Sequence, residues 1–274
     1  DRLAKADPGN AVWQHSLSIS HSRIGDVLRA LGNLPDALKS CRERVAIAER
    51  LPKAAPGNAG WQRSLAVYYS KVGDTLLAQG NLAEALKSFQ DSLAIADRLA
   101  KSDPANADWQ RDLAVGHGKV ATVLAQHGEV PQALGEFRHG REIIARLFME
   151  QSPDNAVLAK DFRWLDAEIA KLVNDRGLSL LRTEQYDAAI ADFDEAIHID
   201  PDHVDALNNR GWAYWLKGDL DRALADLDAA LKLDSTFFDA LIERGMLLLE
   251  LGRFEEARKS LDAAKSADAR RQVM

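Results

Sequence analysis

The chain has one cysteine, three methionines, eight prolines and seventeen glycines in 274 residues. With Cys41 alone there can be no internal disulfide and no cysteine-based zinc site, so a reducing compartment such as the cytoplasm is the expected setting. No apolar run approaches the roughly 18 residues that a membrane helix needs, and no membrane role is expected. The scarcity of proline and glycine leaves most of the chain free to be regular. An excess of basic charge is also missing. Lysine and arginine number 35 against 42 acidic residues, a net charge of -7, which argues against a nucleic-acid partner. What remains is a globular balance, 46% hydrophobic and 28% charged. Aromatics are 7%, yet six of them are tryptophan. Charge is uneven as well: residues 1–155 carry a net +1 and residues 156–274 a net -8.

The tryptophans expose internal repeats. Trp13, Trp61 and Trp109 lie 48 residues apart in DPGNAVWQHSL, APGNAGWQRSL and DPANADWQRDL. RIGDVLRALGNLPDALKS returns as KVGDTLLAQGNLAEALKS and, more loosely, as KVATVLAQHGEVPQALGE. A faded fourth unit starts at SPDNAVLAKDF, with Leu158 at the tryptophan position. The second half repeats every 34 residues, with Gly177, Gly211 and Gly245 in register. Apolar residues recur at three- and four-residue steps on both sides of a short break, so each unit reads as two helices and no sheet is predicted. Asn10, Asn58 and Asn106 are predicted N-caps, and Pro131 a first-turn proline.

The 34-residue units resemble the tetratricopeptide repeat. The first shows Gly177, Leu180, Tyr186, Ala189, Phe193, Ala196 and Pro201 at the positions of that pattern. The second shows Gly211, Tyr214, Leu220, Ala223, Leu227 and Ala230; the third Gly245, Leu248, Phe254, Ala257, Leu261 and Ala264. Small residues let paired helices approach, and large ones fill the groove between them. The 48-residue units are similar to long-helix arrays of bacterial proteins, with about seven residues added before the first helix and about seven after the second. The resemblance implies an all-α superhelix of antiparallel helix pairs. Residues 1–155 would hold three elongated repeats, 156–173 a degenerate repeat or junction helix, and 174–274 three standard repeats. Whether 156–183 is one helix or two that break near Asn174 is left open.

No catalytic motif is present, and neither enzyme activity nor a cofactor is expected. Cys41 shares a register with Phe89 and Phe137 and reads as core; His21 and His117 share one with Tyr69 and read as packing residues, not metal ligands. The acidic set Asp192, Asp194, Glu195, Asp200, Asp202 and Asp205 reads as a solvated face. In the family, ligands lie on the concave surface lined by first helices. The resemblance places Asn174, Leu178 and Arg182 there, then Asn208, Asn209, Trp212 and Trp215, then Glu243, Met246 and Leu249. That set suits a protein or peptide partner with apolar anchors. Of the residues that clamp chaperone C-termini in some members, only Asn209 is matched. In the first half, Arg23, Lys71 and Lys119 stand one per repeat, each of the first two with an aspartate three residues on. They read as intrahelical ion pairs or as a basic ladder for an acidic segment.

The expected role is a non-catalytic binding scaffold within a larger protein. Two alternatives are a sensory arm of a bacterial signalling or defence protein with an upstream effector, and a solenoid that self-associates through open ends. The opening DRLAKADPGNAVWQ aligns with DRLAKSDPANADWQ from Asp97, so the chain is expected to begin inside the second helix of a preceding repeat.

Overall fold

Helical periodicity, asparagine caps and glycine turns are all realised in the computed structural model, which describes residues 11–49, 58–151 and 155–271. These residues form two compact units, divided at Leu165 and Asp166. The first contains α1 (Ala11–Ala30), α2 (Leu34–Ala48), α3 (Ala59–Ala78), α4 (Leu82–Ser102), α5 (Ala107–Gln126), α6 (Val130–Gln151) and the beginning of α7 (Ala156–Arg182). The second contains the rest of α7, then α8 (Tyr186–Ile199), α9 (Val204–Leu216), α10 (Leu220–Leu233), α11 (Phe238–Glu250) and α12 (Phe254–Arg271). No strand forms among the described residues. The expected helix end at residues 1–9 and the Asn10 cap lie outside the described residues.

Each helix pair is joined by a three-residue turn, which folds it into an αα-hairpin. Five of these turns place a glycine at positive φ, from +71° at Gly252 to +85° at Gly128. At the sixth turn the same conformation falls on Glu184, at +60°. The predicted caps form: Asn58 Oδ1 accepts from the Trp61 N–H at 3.1 Å, and Asn106 Oδ1 from Trp109 at 3.2 Å. Asn155 does the same for Leu158 at 3.2 Å, so the faded fourth unit keeps its cap. Pro131 lies in the first turn of α6.

Between the helices of a pair, the small position faces a large one. A Cβ added at Gly73 would lie 2.6 Å from the Phe89 ring, and one at Gly177 2.7 Å from Phe193. Phe89, Phe137 and Phe193 are buried, and Cys41 occupies the same slot in the first repeat. The longer period is absorbed by longer helices. The first helices α3 and α5 have 20 residues against 13 in α9 and α11, and α4 has 21 against 14 in α10. An addition of seven residues is close to two turns, so the buried stripe keeps its side. Trp109, on the added turn of α5, packs on Ala96, Leu99 and Ala100 in the added turns of α4. At the tryptophan position of the fourth unit, Leu158 is buried.

α7 is one continuous helix of 27 residues. Its stretch from 156 to 176 contains no glycine or proline that would break it. Within the first unit, Trp164 packs edge-on against Phe137, with ring centroids 6.4 Å apart.

Candidate peptide-binding groove

In the second unit, residues 34 apart on α7, α9 and α11 line up as rows across the first helices. One row is Leu178, Trp212 and Met246. Leu178 is half-buried, but Trp212 is 42% exposed and Met246 51%. Leu216 and Leu249 are also exposed, one turn further along. Four large apolar side chains in water on two neighbouring helices make a patch of the kind that marks a docking surface.

The polar members of the expected set behave differently from one another. Asn174 is buried and its Oδ1 accepts from Asn209 Nδ2 at 2.9 Å, which ties α7 to α9. Asn208 is buried too, beside the Glu243 carboxyl of α11, whose hold on a proton its side chain weakens. Trp215 points into the inter-repeat core with Leu207 and Leu247, and its Nε1–H donates to Glu250 Oε2 at 2.7 Å. Asn174, Asn208 and Trp215 thus join repeats, while Asn209 stays half-buried and Arg182 is exposed. Spacing along one helix does not separate them, since Asn208 and Trp215 lie four and three residues from the exposed Trp212; the neighbouring helix decides which side chain is covered.

On the acidic face one expectation is corrected. Asp192 is 7% exposed, not solvated; Arg176 grips it through two bonds of 2.7 and 2.6 Å. Arg210 repeats this with Asp226 at 2.7 Å and 2.7 Å, and reaches back to Asp194 at 2.6 Å. The hydrogen bond to Asp226 is the main reason that the Arg210 guanidinium holds its proton more firmly than usual. In the third repeat Ser260 stands where the aspartate would be, its buried hydroxyl has no partner, and Arg244 turns to Asp228 at 2.5 Å. The signal was present in sequence as Arg-Gly followed, sixteen residues after the arginine, by aspartate. His203 caps α9 by accepting from the Ala206 N–H at 3.4 Å.

In the first unit the expected intrahelical pairs are replaced by pairs between repeats. Lys71 donates to both oxygens of Asp26 at 2.7 Å, and Lys119 to Asp74 at 2.5 Å. A parallel set joins Arg63 to Asp112 and Arg111 to Asp161, each at 2.5 Å. A cleft of about 260 Å³ between α3 and α5 is floored by Ala66, Val67, Leu99 and Trp109 and bordered by these ions. An acidic partner would meet Lys71 and Lys119 only in competition with their aspartates; Arg23 is exposed. His21 and His117 pair with Glu43 at 3.1 Å and Glu136 at 2.6 Å. Among the described residues no helix is long and apolar enough to cross a membrane, and no three potential ligands cluster for a metal ion.

Family models described as tetratricopeptide repeat match residues 65–105, 174–236 and 214–273. Comparison with curated proteins gives no match. Among solved structures, BtubC (BKLC) from P. vanneervenii is similar over 87% of this chain and 92% of its own, at 19% identity and a TM-score of 0.53. MamA is similar over 74% and 98%, at 18% identity and 0.45. The first TPR of Spaghetti (RPAP3), bound to the HSP90 peptide SRMEEVD, is similar over 38% and 82%, at 23% identity and 0.37. At this identity the likeness to BtubC is one of fold.

Proposed function

Because the chain belongs to the tetratricopeptide repeat family, we propose that it is a non-catalytic scaffold that holds a peptide or helical segment of another protein against its first helices. The observation that carries this reading is the exposed apolar patch of Trp212, Leu216, Met246 and Leu249 on α9 and α11. Burying such side chains on a partner contributes about 25 cal/mol per Å² of apolar surface removed from water. The structural asparagines beneath the patch hold the helices in place, so the surface is preformed and loses little entropy on binding.

A photo-crosslinking residue at Met246 tests this in cells that express the protein. Adducts with other proteins are expected there and not at Lys232 on α10, an exposed position on a second helix. Trp212→Ala should abolish those adducts while the circular dichroism stays unchanged. Equal labelling at both positions, or adducts indifferent to Trp212→Ala, would remove the groove from consideration.

A further inference from the structure

The same surface is acidic in a regular way. Lys171, Asp205 and Asp239 form one row across α7, α9 and α11, and Asp175, Asn209 and Glu243 the next. An open cavity of about 770 Å³ lies over all of these but Glu243, with Asp200 and Asp202 on its wall and Lys171 as its one lysine or arginine. Elsewhere in this unit four aspartates, Asp192, Asp194, Asp226 and Asp228, each meet an arginine. Among the described residues Asp175, Asp202, Asp205 and Asp239 meet none. Asp205 and Asp239 lie in the first turns of α9 and α11, where the helix dipole favours the carboxylate. Asp175 lies well inside α7 and has no such support. A second observation points to a peptide segment as the carrier of that charge. Trp212 and Met246, on the same first helices, hold large apolar side chains 42% and 51% exposed.

The apolar row Leu178, Trp212 and Met246 runs one helical turn from Asp175 and Asn209. Packed helices lie about 10 Å apart, which one three-residue turn of polyproline II chain, about 9 Å long, spans with its anchors on one side. We propose that the groove of the second unit selects a cationic segment, with an apolar anchor at every third residue for Trp212 and Met246 and lysine or arginine between anchors for Asp175, Asp205 and Asp239. This inference rests on the groove reading above and adds the charge of the occupant. Opposite charge steers encounter and rejects acidic segments, which would leave the carboxylates repelled and unpaired.

Two labelled synthetic peptides test it against the full chain by fluorescence anisotropy, one repeating Leu-Lys-Lys and the other Leu-Glu-Glu. The lysine peptide should bind and the glutamate peptide should not, with affinity falling as salt rises from about 0.05 M to about 0.5 M. Asp205→Asn with Asp239→Asn should weaken the lysine peptide at least about tenfold. The same charge change at Glu255 and Asp262 on α12 should leave it unaltered. Equal binding of both peptides, no binding of the lysine peptide, or equal loss from the α12 pair overturns the cation preference. Trp212→Ala separates the two readings. If it weakens both peptides alike, the groove stands and the charge preference falls. If it leaves the lysine peptide untouched, binding is elsewhere and the groove reading falls as well.

Discussion

At Glu243 the carboxyl is pushed up to about 7 from its ordinary 4.5, chiefly because burial removes it from water; the Asn208 hydrogen bond opposes this and the charge of Asp239 adds to it. Glu243 Oε2 and Asn208 Oδ1 are both buried without a partner, and a proton on Glu243 supplies a donor where both atoms can only accept. In the unfolded chain that proton leaves near pH 4.5, in the folded chain near 7. Stability therefore falls as pH rises through that window, by no more than about 3 kcal/mol, since the side chain is only part-buried and solvent screens it. Glu243→Gln should match the parent in urea denaturation below pH 4.5 and exceed it above pH 7. A difference that is the same on both sides would mean that Glu243 titrates normally. The arginine ladder gives a reciprocal pair of changes. Ser260→Asp offers Arg244 the partner that Arg210 has in Asp226, and should stabilise by about 1 kcal/mol. Asp226→Ser copies the third repeat into the second and should cost about 2–3 kcal/mol, because a part-buried guanidinium loses its main partner. Thermal and urea unfolding should show the two changes moving in opposite directions.

Among elements, the turns isolate a single departure. Glu184 adopts the left-handed conformation that glycine occupies in five sister turns. Glu184→Gly should raise stability by about 1 kcal/mol, visible as a higher Tm, since the strain of a side chain at positive φ exceeds the entropy that glycine loses on folding. An unchanged or lower Tm would mean that the side chain is held by something worth as much. The helices were legible in sequence because their signals are local: Gly73 facing Phe89, Asn106 capping α5, seven residues added to each helix. The unbroken α7 was less so. Asn174 resembles a cap when read along the chain, but its amide is taken by Asn209 of the next repeat, a contact that exists only once the helices stack. Trp212 and Trp215 show the same limit. The family resemblance put both on the inner side, and only the stacked third helix separates the exposed ring from the one bonded to Glu250.

At the scale of the whole chain, each unit keeps its contacts mainly between consecutive helices. Stability is then a sum of repeat and interface terms within each unit, without one central core. Phe137→Ala, which empties the slot between α5 and α6, should cost about 3–5 kcal/mol and speed hydrogen exchange most in those two helices. Acceleration of equal size in α1 and α2 would show a single cooperative block. The ion pairs between repeats add something that packing alone does not. Arg63 and Arg111 look forward to Asp112 and Asp161, whereas Lys71 and Lys119 look back to Asp26 and Asp74. Near-identical modules would fit in any sequence if shape were the only criterion. Exchanging the second and third would set Arg111 opposite Ser64 and Lys71 opposite Thr122, stranding both cations. The charges thus number the modules, and a shuffled gene would spell a protein with the same words in an order its own side chains reject.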